Sequence, residues 1–381
     1  MSKHLEKPFD YLKKKDGGDF APETYKNWYK ARAYVLDKLK DVAFTPSSNE
    51  YLHVVITDVD DEASCPLMLS VVRQVALSAH YVNYKEETGK NSTVITIVSK
   101  QAERIKKELE KEEFLFYLPI YGKDVFEHSS NDPIDGRPKV EVDIKIRFSE
   151  TMPNDGFIMM SKDEVESFCS FKNDEEIYGI DTRKAVYASR MYEIGAEINN
   201  LPYDDIHSTD RYAVALDVFQ FVKLENEVSP LVDELQWKKP NNQIKVLEGL
   251  SNLFCSDCFE SRMKAVKLYG EQEKMGEPEA WRKLNKLLSK SEHTRWVVEK
   301  LIMGYKPMST RQHLEYESLF GESKRQYAKG LKRPGDLREL SHIDLCSFAD
   351  LRRIDPDNMK YDSFLVLGIP EILKRIEKGR H

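Results

Sequence analysis

Apolar positions along the chain follow two different rhythms. Up to about residue 160 they come as short β-branched runs: Leu52-His53-Val54-Val55-Ile56-Thr57 and Thr93 to Val98 read as buried strands. Between them Pro66 to His80 carries Leu67, Val71, Val75 and Leu77 at helical spacing, so strand, helix and strand predict a right-handed βαβ unit with parallel strands. A helix at Gln101 to Lys111, a strand around Phe114 to Leu118 and the alternating strand Val140 to Phe148 complete a small sheet. Ahead of it, Pro22 to Lys40 predicts a helix with Tyr25, Trp28, Tyr29, Val35, Leu36 and Leu39 on one side. Thr45-Pro46-Ser47-Ser48-Asn49 is a turn-rich joint.

After Met152-Pro153-Asn154-Asp155-Gly156 the pattern becomes helical to the end. Candidate helices are Lys162 to Phe168, Thr182 to Asn199, Thr209 to Leu224, Gln243 to Phe254, Phe259 to Tyr269, Trp281 to Met303 and Asp362 to Lys378. The expected fold class is α/β plus all-α, divided into an N-terminal helical segment (1–50), an α/β domain (51–160), a helical region (161–275) and a helical domain (276–381).

The helix from Trp281 to Met303 holds the densest chemistry. Glu292, Arg295, Trp296 and Glu299 stand at i, i+3, i+4 and i+7, which puts two carboxylates, a guanidinium and an indole on one face, with His293 at its flank. Such a face can bind a ligand; it can equally be a solvated ladder of ion pairs, each contributing at most about 1 kcal/mol, with Trp296 as a packing anchor.

The residues Glu292-His293-x-Arg295-Trp296, then Glu299-Lys300-Leu301 and Gly304-Tyr305, resemble the core signature of bacterial RyR domains, the module named after its repeats in ryanodine receptors. His342-Ile343-Asp344-Leu345, Phe348, Leu351, Tyr361-Asp362 and Ile369-Pro370-Glu371-Ile372-Leu373 resemble that domain's closing segment. The resemblance covers about residues 280 to 376. Upstream, Ala188 to Leu224 resembles the helical segment that precedes the signature in bacterial members, and Leu52 to Lys100 resembles their degenerate Rossmann-like domain.

Composition narrows the function classes. At 381 residues the chain is too long for one small core, and with 32% charged residues and no apolar run near twenty it is expected to be cytoplasmic, without a membrane span or secretion signal. A formal charge of -7 and a pI near 5.8 oppose non-specific binding to nucleic acid. Five scattered cysteines suit reduced thiols, and Cys255-Ser256-Asp257-Cys258 lacks the second ligand pair that a zinc site needs.

NAD binding is not expected, because the first strand-to-helix turn, Asp58-Val59-Asp60-Asp61-Glu62-Ala63-Ser64, has no glycine and carries four acids. Asp58-x-Asp60 has the spacing of haloacid-dehalogenase-like phosphatases, in which strand-end carboxylates hold magnesium, yet the motif is short and its later partners are missing. His80-Tyr81-Val82-Asn83-Tyr84 reads as a helix C-terminus or a pocket rim. Tyr187, Arg190, Tyr192, Arg211 and Tyr212 can stack on an anionic ring or pack in a core, and the basic loop from Ser323 to Pro334 can close over a phosphate or be solvated.

No nucleophile with an orienting partner is visible, although Glu292, His293 and Glu299 could supply acid and base. The sequence thus points away from an enzyme and, through the resemblance, to a ligand sensor without cofactor or metal. Its expected partner is a small anionic, nucleotide-derived molecule held by Glu292, His293, Arg295, Trp296, Glu299, Tyr305 and His342. The alternatives are a ligand-free interaction or homo-oligomerisation module, and a magnesium-dependent phosphatase at Asp58.

Overall fold

The computed structural model describes residues 22–60, 65–112, 142–154, 156–178, 184–185, 187–188, 191, 251–302, 305–307, 310–321, 323 and 341–378. The expected elements at Phe114 to Leu118 and Thr209 to Leu224 lie outside these residues, as does most of the helix at Thr182 to Asn199.

Four parallel strands form the sheet: β1 (His53–Ile56), β2 (Thr93–Val98), β3 (Ile144–Ser149) and β4 (Ile158–Met160). Their order is β3-β2-β1-β4, with Val54 opposite Ile95 on one side and Ile158 on the other. The strand β4 departs from the expectation that helix begins after Gly156. Three residues are too few to show a period, and a run as short as Ile158-Met159-Met160 is fixed as strand by the neighbour it pairs with.

Around the sheet lie α1 (Pro22–Leu39), α2 (Cys65–Ser78), α3 (Ala102–Glu112), α4 (Lys162–Ser170) and α5 (Asp174–Tyr178). Every residue of α2 from Leu67 to Ser78 is buried, polar Arg73 and Gln74 included, because α1, the sheet and the later long helix enclose it. Helix α4 starts on a capping box, Ser161 accepting from Glu164 N while Glu164 accepts from Ser161 N.

The helical half comprises a helical stretch at 251–257, α6 (Phe259–Glu273), α7 (Glu277–Ile302), α8 (Thr310–Glu317), α9 (Phe348–Ile354) and α10 (Pro356–Lys378), with a second, two-stranded parallel sheet of β5 (Lys306–Pro307) and β6 (Ser341–His342). The apolar core does not break where domain boundaries were expected. Trp28 and Tyr34 of α1, Val54 and Ile95 of the sheet, and Val298 and Leu301 of α7 belong to one continuous cluster, while the first half of α7 packs with α10 in another. Polar ties cross the same junction: Arg32 pairs with Asp257, Ser291 Oγ donates to the His80 carbonyl at 3.2 Å, and Glu86 accepts from Lys290 and from the Phe348 amide. Among the described residues no helix is long and apolar enough to cross a membrane.

Candidate functional site

Helix α7 turns most of the signature inward. Glu292, Arg295 and Glu299 are at most 2% exposed. Arg295 donates from Nη2 to Glu292 Oε1 and from Nη1 to Glu299 Oε2, both at 2.7 Å, and from Nε to both Glu292 oxygens. From α6, Arg262 Nη2 donates to Glu292 Oε2 at 2.6 Å. Glu299 also accepts from Lys300 Nζ and from Ser251 Oγ, each at 2.8 Å.

Burial alone would push the Glu292 carboxyl up, but the guanidinium groups of Arg295 and Arg262 hold it down at about 2. Glu299 is likewise held below the ordinary carboxylate range, Lys300 and Arg295 outweighing its burial. Among the described residues three cations (Arg262, Arg295, Lys300) therefore meet these two carboxylates. The outermost cation is Lys300, whose side chain is 11% exposed.

Arg295, Glu292 and Glu299, expected to touch a ligand, are thus buried and bonded to one another. The guanidinium is sealed in the core and bound by two carboxylates, because α6 and the 251–257 stretch cover the face that bears it. The solvated-ladder alternative fails for the same reason.

Trp296 lies half-buried, its ring stacked on His293 with centroids 6.1 Å apart and 21° between planes, and edge-on to His342 at 5.0 Å and 77°. Lys300 Nζ sits 5.5 Å from the Trp296 ring centre and 5.7 Å from that of Tyr305. Tyr305 is itself 6.4 Å from His342. The pairing of Lys306 with Ser341 and of Pro307 with His342 joins the two signature blocks, so three expected site rings do converge. Burial and the Glu299 charge push the Tyr305 hydroxyl up to about 12, which keeps it a neutral phenol.

His293 forms the floor. Its Nε2 lies 2.9 Å from the Cys346 carbonyl, which can only accept, so that nitrogen carries a hydrogen; its Nδ1 faces Asp362 Oδ2 at 3.5 Å. Burial opposes its charge, but Asp362, the Cys346 carbonyl and Asp344 together raise its pKa. His342 is less buried, and its Nδ1 accepts from the Asp344 amide at 3.2 Å. Sequence reasoning assigned no role to Arg262, Lys300, Asp344 or Asp362. Arg262 was detectable: it occupies the apolar stripe of α6 with Phe259, Ala265 and Val266, where a charge needs a partner.

The other candidates resolve into structural roles. Asp58 adopts φ 61° and accepts from the Lys162 amide at 3.0 Å, while Asp60 accepts from Ser99 Oγ and the Lys100 amide, so the two acids are engaged at different strand ends. Among the described residues no three His, Cys, Asp or Glu side chains converge to hold a metal; Asp61 and Glu62 lie outside them. Cys255 and Cys258 are buried thiols with pKa values raised by burial, Cys258 to about 12. His80 Nδ1 is 2.8 Å from Asp143 in the core, and the Tyr187 ring packs under Arg375. Arg190, Tyr192, Arg211, Tyr212 and the basic loop beyond Ser323 lie outside the described residues. Compared with protein-family models, curated proteins and solved structures, the chain matches none.

Proposed function

We propose that the protein is a non-enzymatic sensor, in which an RyR-like helical domain takes a small anionic, ring-bearing and nucleotide-derived ligand on the face formed by Trp296, Tyr305 and His342. The observation that supports this reading is the combination of three clustered rings with the Lys300 ammonium, the outermost cation of the buried ion network, which lies over two of them. Flat rings stack with a base, and the Lys300 ammonium attracts a phosphate. Arg295, held at Glu292 and Glu299, positions this face rather than touching the ligand.

The strand order β3-β2-β1-β4 is that of one half of a doubly wound nucleotide-binding sheet, in support of a Rossmann-like origin. In such sheets a ligand sits at the switch point, here between β1 and β4. The Asp58 carboxylate already occupies the start of α4 there, where a phosphate would otherwise lie. The α/β half on this reading receives the signal through the shared core and the contacts of Arg32, His80 and Glu86 with the helical half.

Calorimetric titration against a panel of nucleotides tests the proposal. Binding is expected to be lost in W296A and K300M while both variants stay folded. Retention of every hit by both variants would place the site elsewhere. A protein-contact role has one observation in its favour, the exposure of Phe320 (83%) and Leu314 (63%) beside α8. It predicts a dimer or larger species by light scattering and no thermal stabilisation by any nucleotide, although a ligand at a hundred times its Kd should contribute about 2.7 kcal/mol.

A further inference from the structure

The segment that carries His342 onto the Trp296 ring is held over the buried carboxyl groups of Asp344 and Asp362, with half-buried Asp355 beside them. Asp344, two residues after His342, is 5% exposed; its Oδ2 accepts from Asn358 Nδ2, and its Oδ1 is buried with no hydrogen-bond partner. Asn358 also donates to Asp355 Oδ2, so one amide serves two carboxyl groups. Each packed element contributes a titratable or charged group: α7 supplies His293, Glu292 and Arg295, α10 supplies Asp362, α9 supplies Asp350, which accepts from Ser347 Oγ, and is followed by Asp355, α8 brings the Tyr316 hydroxyl to Asp355 at 3.3 Å, Glu86 accepts from the adjoining Phe348 amide, and the segment itself adds His342, with Nδ1 3.7 Å from Asp344 Oδ2. Arg295 is committed to its own carboxylates, and His293 faces both Asp362 and Asp344.

An oxygen without a donor in a water-poor site is far costlier as a carboxylate than as a neutral acid. Two neighbouring carboxyl groups deepen that preference. His293 fixes the same segment from the other side, through Nε2 to the Cys346 carbonyl.

We propose that residues 342–347 form a proton-dependent latch: with Asp344 neutral and the His293 and Asp362 pair holding its proton, the segment stays docked and His342 meets Trp296, and release of these protons loosens it. Ionised Asp344 beside Asp355 and Asp362 gains water only if the segment lifts, and His342 lifts with it. The direction agrees with the electrostatics, since burial first and the Asp355 charge second raise Asp344 to about 8, and Asp362 is raised by burial. The consequence for ligand binding rests on the aromatic-face reading above, but the latch is independent of any ligand.

The test is amide hydrogen exchange of the ligand-free full chain between about pH 6 and about pH 9, with residues 343–347 normalised to buried α2 to remove the intrinsic pH dependence of exchange. Protection of 343–347 should fall relative to α2 by up to about tenfold per pH unit as the coupled proton is lost. D344N, which keeps the shape and cannot ionise, should flatten the profile. Protection that tracks α2 across the range in the parent overturns the latch without any variant, as does a D344N profile equal to the parent's. If the latch holds but W296A and K300M bind nucleotides like the parent, the sensing proposal falls and the latch stands.

Discussion

Glu292 and His293 are neighbours in α7, yet they anchor two charge clusters built on opposite terms. Around Glu292, two guanidinium forks and an ammonium surround two carboxylates, every oxygen has a donor, and the carboxyls are held ionised. Around His293, an imidazole, the Asn358 amide and the Tyr316 hydroxyl face Asp344, Asp355 and Asp362, one Asp344 oxygen has no donor, and Asp344 and Asp362 are pushed toward their neutral forms. An ion network whose carboxylate oxygens all have donors is a fixed support. One short of donors depends on protons, and the aromatic face lies between the two.

The largest effect expected from breaking this comparison is on the balanced side. R295A leaves Glu292 with Arg262 alone and Glu299 with Lys300 and Ser251 in a dry core, and removal of one partner from a buried ion pair costs about 3–5 kcal/mol. Urea unfolding should show that loss, and R295A is therefore a poor probe of ligand contact. A loss under about 1 kcal/mol would mean that water reaches the pair and that the contrast between the clusters is false.

On the unbalanced side the effect is smaller and has a sign in pH. Asp344 has its folded pKa raised from 3.8 to about 8, so its contribution to stability is complete below about 4 and is lost as pH rises through about 8. His293, also raised, acts in the same direction, its contribution lost as pH rises through its folded value. The parent should lose stability between about pH 6 and about pH 9 relative to D344N, measured by denaturant midpoint at each pH. Equal slopes for the two proteins would remove Asp344 from the account.

Much of this was legible in the chain. The β-branched runs placed β1 and β2, the helical period placed α7, and the two signature blocks carried the three rings that do meet. The orientation of α7 was not legible from a rule that turns charged positions outward. From Ser291 to Ile302 the helix is buried almost all round, as the apolar residues on every side of it allow, and the charges went inward because Arg262 arrives from α6, distant in sequence. The segment β6 escaped notice because two residues have no period, and its pairing with β5 is decided only in three dimensions.

The smallest effect, and the most discriminating, is expected at Lys300. K300M keeps most of the apolar stem over Trp296 and Tyr305 but removes the outermost cation, so Arg262 and Arg295 then face Glu292 and Glu299 in equal number. Because Glu299 retains Arg295 and Ser251 and Lys300 lies at the outer edge of the network, the loss of stability should be smaller than in R295A. What should disappear is the ammonium charge over the rings, and with it the affinity for anions and the salt dependence of that affinity. A K300M protein as unstable as R295A would make Lys300 a structural member of the balanced cluster. The aromatic face would then have no charge of its own with which to hold an anion.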